Sequence, residues 1–534
     1  MSVPDPSVSV TASPMRGGIA TRSARPSLYD IIFIFWAIAI PLGFSNRLLS
    51  SDGDLARHLR LGEVMLDQHA VLRREFFSHT AAGRPFLAFE WLSEVVYAAA
   101  ERIGGLALVA IVASLLLALT FTLLARFLIR RGADPLLAYL VSMAAAVLTG
   151  SHWLARPHLF TLLAVVILLD LLERTEPPPV WLFAVLFAVW ANFHGGFVYG
   201  LILIGAYLVG DLLEARSADD PALWKRRARA RGTAFGVALL ATLVNPYGIK
   251  LLMHVSGFFG NDAIIRQTNE FQSPDFHTIN AKIFLVALLG VMAGLTLVQR
   301  RPRWHWLLII LGNTAMALVS QRNIELFGIA ALPLVALHLD PDWRRLPVFG
   351  RARGVFQREY RGSYPGAGAS IIAVLLLCLA LVNGRVAGVQ LVEDRFDPTT
   401  FPTDVTARAR KAALSGPLFN EFIWGGWLLH EWPEQRVFID GGTDFYGEAL
   451  FKEYVQVWNL DPGWRDVLSK WKIRWALIGP RSRLATQLVR EPGWTIWDCD
   501  SVAVMLNRDP SADSVDGSAL ERLKRCVGQP STKQ

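Results

Sequence analysis

The chain has 534 residues, 53% of them hydrophobic and 18% charged, with a formal net charge of +8. That balance excludes an ordinary soluble domain and fits a polytopic membrane protein. The positive charge calls for no nucleic acid, because membrane proteins collect Lys and Arg in cytoplasmic loops, and three cysteines without CxxC or Cys/His spacing give no structural zinc site.

Residues 1–27 are rich in Ser, Pro and Ala, with Arg16, Arg22 and Arg25, and read as a disordered cytoplasmic leader. The following run, LYDIIFIFWAIAIPLGFS, lacks a small-residue cleavage site and is predicted as a retained first transmembrane helix. About eleven apolar segments follow the length rule for membrane helices, near 28–47, 105–127, 135–151, 157–173, 179–194, 196–214, 232–248, 281–299, 304–320, 323–339 and 369–386. With the N-terminus in the cytoplasm, the inward loops hold Arg126, Arg130 and Arg131, the run WKRRARARG, the run QRRPRW, and six arginines between 344 and 361. Opposite them fall the first outer loop (48–104), SHWLARPH, ANFHGG, the 249–280 loop, SQRN and everything after 387. The transmembrane region is thus placed at 28–386.

Beyond 387 the pattern changes. RVFID (436–440), IRWALIG (473–479), WTIWD (494–498) and VAVML (502–506) read as buried strands, with GEALFKEYVQVW and WRDVLSKW as helices between them. This predicts a compact extracytoplasmic α/β domain over 387–509, followed by a loosely held tail at 510–534. Cys378 lies in an apolar segment, and whether Cys499 and Cys526 pair stays open.

Unusual polar residues concentrate in the outward loops. In SSDGDLARHLRLGEVM, Asp52 and Asp54 flank Gly53, a spacing suited to oxygen ligation of a divalent cation or to accepting a proton; Asp before LARHLRLGEVML is equally what a helix start wants. His58 lies one turn beyond Asp54 on the same face. Glu90 and Glu94 either line the site or face water, and Glu94 is read as facing water. Arg156 and His158 flank Pro157 at a helix mouth, and Arg322 with Asn323 opens another; Arg there suits either a phosphate or lipid headgroups. His194 interrupts an apolar stretch, where polar groups face interior cavities. Glu270, Asp275 and His277 share a long outward loop. No P-loop, GxSxG, HExxH or GxGxxG is present.

DLARHLRLGEVML…RREFFSHTAAGRPFLAFEWLSE, ARPHLFTLL, WANFHGGFVYG, NPYGIKLL, EFQSPDF, SQRNIELF and FNEFIWGGWLLHEWPEQRVFIDGGTDFYG together resemble bacterial members of the GT-C superfamily of membrane glycosyltransferases. The first loop is also distantly similar to that of oligosaccharyltransferase catalytic subunits, with Asp54 at the position of their reaction-centre aspartate. Their WWDYG motif is absent; FNEFIWGGW and IDGGTDFYG occupy that region. The resemblance implies an α-helical polytopic, GT-C-like protein in a bacterial inner membrane. Its activity would be transfer of a sugar from a polyprenyl-phosphate-linked donor to a glycan, lipid or protein acceptor. Asp54 would be the base and Asp52 its helper, or both would ligate Mg or Mn. His58, Glu90, Arg156, His158, His194, Glu270, His277 and Arg322 would serve the substrate, with Arg156, His158 and Arg322 toward the phosphate. Trp424, Gly425, Gly426, Asp440 and Asp444 would meet the acceptor or glycan. The rival is a non-catalytic scaffold or export component whose outer domain binds a partner; a transporter ranks last, because the ionisable groups gather at one face rather than the midplane.

Overall fold

The computed structural model describes residues 26–258, 269–298, 300–362, 368–381 and 384–528. Most of the expected disordered leader and the last six residues of the expected tail lie outside them.

The first helix, α1 (Leu28–Ser50), opens with a capping box: the Ser27 hydroxyl accepts the Asp30 N–H and the Asp30 carboxylate accepts the Ser27 N–H. After it come the amphipathic α2 (Asp54–Gln68) and α3 (Trp91–Arg130). α3 is broken at Gly104 and Gly105, where Gly105 takes φ +64°, a value glycine adopts without a Cβ clash. The Asp394 carboxylate caps the restart by accepting the Ala107 N–H at 2.9 Å.

The bundle continues through α4 (Pro135–Thr149), α5 (His158–Leu172), α6 (Trp181–Phe193), α7 (Phe197–Ser217), α8 (Pro221–Ala241) and α9 (Ile249–Phe258). α10 (Ile279–Leu297), α11 (Trp304–Val319), α12 (Gln321–Trp343), α13 (Gly350–Gly362) and α14 (Gly368–Leu381) complete it.

All eleven apolar segments contribute helix, but length separates them. Among the described residues six helices are long and apolar enough to cross a membrane: α1, α3, α4 with its 3₁₀ extension to His152, α7, α10 and α12. Four more, α5, α6, α11 and α14, are apolar but shorter; at 1.5 Å per residue a 15-residue helix spans only about 22 Å. The segment expected at 232–248 is the second half of α8. Asp220 caps that helix at the Ala222 and Leu223 N–H groups, so the run WKRRARARG lies inside a helix instead of in a loop.

The loops sort to the two ends as their charge predicts. At one end Arg131 pairs with Asp170 (3.0 Å), Arg301 with Glu214 (2.9 Å) and Arg344 with Asp340 (2.6 Å). At the other, the loop after α1, the turns before α5 and α7, the 269–278 segment and the start of α12 meet one another and the α/β region.

That region begins with a hairpin, β1 (Arg385–Val386) and β2 (Val389–Gln390). Then come α15 (Thr403–Lys411), β3 (Leu418–Asn420), α16 (Phe422–Glu431), α17 (Thr443–Asn459), α18 (Trp464–Lys470), β4 (Trp475–Ile478), α19 (Arg483–Leu488), β5 (Trp494–Cys499), β6 (Val504–Arg508) and α20 (Ala519–Gly528). The four-stranded sheet has the order β3-β4-β6-β5, with β3 parallel to β4 and the other pairs antiparallel.

Two expectations here are corrected. RVFID is not a sheet strand. Its backbone pairs with the first loop, the Val437 N–H donating to Phe77 O (3.2 Å) and the His79 N–H to Val437 O (3.0 Å), while the Asn420 side chain holds Phe438 and Ile439. The sheet's remaining strand is instead LFN, too short to show a period. The described part of the tail, 510–528, is not loose either: α20 packs on β5, and Cys526 is disulfide-bonded to Cys499.

Candidate active site

The DGD turn links α1 to α2. Asp52 accepts the Asp54 N–H (3.0 Å) at the start of α2, so the capping work falls to Asp52 and leaves the Asp54 carboxylate to point elsewhere. Both carboxylates meet Arg156, carried by the turn before α5: its Nε donates to Asp52 Oδ1 (3.2 Å), and its Nη2 touches Asp52 Oδ2 and lies 2.9 Å from Asp54 Oδ2. Arg156 Nη1 is 3.9 Å from Glu270, which pairs at 3.1 Å with Arg322. The Arg322 guanidinium also lies over the Phe271 ring. Four loops far apart in sequence thus supply one line of alternating charge.

Electrostatics differ along that line. The Asp54 side chain keeps 32% exposure, yet enclosure by protein pushes its carboxyl above the ordinary value, with Arg156 opposing and Asp52 adding. Burial would also raise Glu270, but Arg322, with His152 and Arg156, holds it well below the usual carboxylate range.

A second group lies one helical turn from Asp54. His58 Nδ1 is 3.0 Å from Glu94 Oε1 and its Nε2 is 3.9 Å from Glu90 Oε2. His194, at the C-terminus of α6, accepts the Gly196 N–H on Nδ1 (3.0 Å) and so presents Nε2 to Glu90 at 3.4 Å. Glu94, expected to face water, is buried at 2% exposure, because α2 covers that face of α3 and brings His58 to it. His158 Nε2 lies 2.9 Å from His152 O and 4.0 Å from Glu325. His152 and Glu325 join the cluster unforeseen; the signal for Glu325 was an ionisable residue within an apolar helix.

Other candidates stand apart. His277 is exposed, with its N–H donating to Asp275. Trp424 is buried at 3% exposure and donates its indole N–H to Thr400 O (3.0 Å). Asp440, expected to meet an acceptor, is buried and accepts from Arg57 Nε (3.0 Å), the Gly442 N–H (2.7 Å) and the Tyr446 hydroxyl (2.8 Å). The Asp444 side chain lies outside the described residues. Gly425 packs on Ile439 O and Gly426 on Gly53 O, so the WGGW segment of α16 joins the α/β region to the DGD turn. At Gly441 a Cβ would collide with Asp54 Oδ1, which brings the IDGG backbone against the reaction-centre candidate.

The expected Mg or Mn position does not fit the side chains as placed. A guanidinium already contacts both Asp52 and Asp54, and a cation between them would have to displace it. Open cavities lie elsewhere: one of about 190 Å³ beside Arg174 and Arg231, and one of about 450 Å³ between the α3 break and the α/β region, lined by Glu101, Asp394 and His430. Neither includes Asp54; the second gathers Glu101, Asp394, Asp404 and Glu431 with Arg395, away from the DGD turn.

No protein-family model and no curated protein matches the sequence. Solved structures do match in fold. The chain aligns with the archaeal oligosaccharyltransferase AglB from Archaeoglobus fulgidus in complex with an inhibitory peptide and a dolichol-phosphate (TM-score 0.54, 10% identity, 90% of this chain and 74% of that one). The apo form of the Archaeoglobus fulgidus oligosaccharyltransferase gives TM-score 0.55 at 10% identity over 92% and 74%, and its form tethered to an acceptor peptide gives 0.53 at 10% over 90% and 73%. The fold is therefore that of a polytopic membrane protein. Within that class the likeness is to an oligosaccharyltransferase, and at this identity it extends to the fold alone.

Proposed function

We propose that the chain is an integral membrane glycosyltransferase that moves a sugar from a polyprenyl-phosphate-type lipid to an acceptor hydroxyl on the extracytoplasmic side of a bacterial plasma membrane. The observation that carries this reading is the meeting of Asp52 and Asp54 with Arg156, and of Arg156 with Glu270 and Arg322, at one end of the helix bundle. The archaeal protein of this fold was captured with a dolichol-phosphate, a lipid phosphate of the kind proposed here as carrier. Orientation is supported by the Cys499–Cys526 disulfide, which suits an oxidising compartment, and by the basic loops at the opposite end.

The mechanism follows from the charges. Breaking the bond between the anomeric carbon and the carrier's phosphate oxygen sends the electron pair to the phosphate, which needs cationic stabilisation rather than a proton. Arg156 presents Nη1 toward Glu270 and away from the aspartates, and Arg322 stands beyond it; these two guanidiniums take the phosphate oxygens. As Arg156 turns to the phosphate, Asp54 loses its partner and becomes a stronger base, ready to accept the proton released when the acceptor oxygen bonds to the anomeric carbon. Asp52 keeps the turn capped throughout.

The test uses purified protein in nanodiscs with a polyprenyl phosphate as binding probe, and cells lacking the endogenous chain for transfer. Asp54→Asn retains phosphate binding and lowers transfer by about 10²- to 10⁴-fold, whereas Arg322→Gln weakens the binding itself. Full transfer by Asp54→Asn, or a wild type that ignores the lipid phosphate, would reject the assignment.

A further inference from the structure

We propose that His58, Glu90 and Glu94, with His194 orienting Glu90, form a binding site for one divalent transition-metal ion. The site is separate from the Asp52–Arg156–Asp54 line and does not depend on the transferase reading.

Geometry comes first. One ligand atom from each of His58, Glu90 and Glu94 can be chosen so that all lie within 4.8 Å of one another. Metal–ligand bonds of about 2.0–2.2 Å place donor atoms roughly 3–4 Å apart, so small side-chain rotations close the set. His194 Nε2 stands 3.4 Å from Glu90 Oε1 and faces the same group, because its Nδ1 is already engaged by the Gly196 N–H. With Nδ1 accepting, the neutral ring carries its proton on Nε2, so His194 donates to Glu90 and orients that carboxylate beside the ion instead of ligating it.

The second observation is an oxygen with nothing to bind. Glu94 has 3% side-chain exposure; its Oε1 meets His58, but its Oε2 is buried without a hydrogen-bond partner. Leaving a buried carboxylate oxygen unsatisfied is costly, and buried carboxylates are normally paired or metal-bound. The surroundings also favour a cation. Among the described residues, Asp52, Asp54, Glu90, Glu94, Glu270 and Glu325 crowd this end of the bundle, where Arg156 and Arg322 pair with Asp52, Asp54 and Glu270.

The donor set selects the metal. Two carboxylates with one imidazole suit Mn²⁺, Fe²⁺ or Zn²⁺ and suit Mg²⁺ poorly, since Mg²⁺ prefers oxygen and retained water. A metal here would pin α2 to α3 and, through Glu90 and His194, to the end of α6, one turn below Asp54. Its role toward Asp54 is positioning.

The competing arrangement is a protonated His58 clamped between the two glutamates without metal. Chelator-stripped full-length protein in detergent is titrated with Zn²⁺, Mn²⁺ and Mg²⁺ separately, with metal content measured after gel filtration. Wild type is expected to retain one Zn²⁺ or Mn²⁺ per chain and little Mg²⁺, Glu94→Gln to bind about tenfold or more weakly, and Asp52→Asn to bind as wild type does. Should Glu94→Gln fail to fold, pulsed electron paramagnetic resonance on Mn²⁺-loaded wild type decides, through nitrogen coupling from imidazole. A wild type that retains no ion, binding that tracks Asp52 instead of Glu94, or Mn²⁺ without nitrogen coupling would each overturn the proposal.

Discussion

Arg156→Gln removes a cation that touches both aspartates, and the structure sets the scale of the loss. At the 2.9 Å Arg156–Asp54 separation, a unit-charge pair interacts by about 6 kcal/mol at an effective dielectric constant near 20. Most of that is offset by desolvation, and breaking a buried pair by removing one partner typically costs about 3–5 kcal/mol. Asp52 and Asp54 keep 26% and 32% side-chain exposure, so water softens the repulsion left behind. We therefore expect a loss near the lower end, about 3 kcal/mol. The assay is unfolding of the detergent-solubilised protein followed by tryptophan fluorescence, run as a double-mutant cycle with Asp54→Asn. Because the second change removes the carboxylate that the first leaves unpaired, the two losses should fall short of additive by about 1–3 kcal/mol. A single-variant loss within about 0.5 kcal/mol, the range of ordinary surface changes, or strict additivity, would refute the reasoning.

Three further outcomes are expected. His430 Nε2 lies 2.7 Å from Glu101, and its Nδ1 3.0 Å from Glu431; burial opposes protonation, but these carboxylates push the imidazole up from 6.5 to about 10. The stability it contributes is complete below about pH 6.5 and is lost as pH rises through about 10, so the unfolding midpoint should fall over that interval in wild type and stay flatter in His430→Gln; parallel pH profiles would count against the pair. Gly441→Ala drives a methyl into Asp54 Oδ1 and should cost about 1–3 kcal/mol while lowering transfer; unchanged stability and transfer would mean the backbone does not approach so closely. The Cys499–Cys526 bridge spans 27 residues, and its loss should destabilise the α/β region by roughly 3.5 kcal/mol; Cys526→Ser would then release 510–528 to protease, and resistance equal to wild type would contradict this.

Much of the layout was legible from residue type alone. Apolar runs marked the helices, and arginine-rich loops sorted to one end, because desolvation and charge act on local composition. Asp52, Asp54, Arg156, Glu270 and Arg322 stood out as charges beside apolar runs, and the chain folds so that they touch. What escaped was set by partners distant in sequence. Nothing local distinguishes the buried Glu94 from a solvated helix glutamate; only His58 on another helix does that. RVFID carries every mark of a core strand, yet its hydrogen bonds go to Phe77 and His79. Asp440, read as meeting the acceptor or glycan, is instead held by Arg57 and Tyr446. Length divides the apolar runs: among the described residues six helices reach crossing length and four are shorter.

The pairing of the first loop with the Val437–Phe438 segment has a consequence for biogenesis. Thr80 donates its hydroxyl to Phe438 O across 358 residues of chain, so a ribosome must deliver nearly the whole bundle before that contact can close. Until then the DGD turn has neither Gly426 nor Gly441 against it. A fragment truncated after the last apolar helix would insert with its aspartates uncovered, and the excised C-terminal piece would carry bare backbone where the loop belongs. Maturation of the centre is therefore one of the last events of synthesis, and the two halves cannot be exchanged as independent modules.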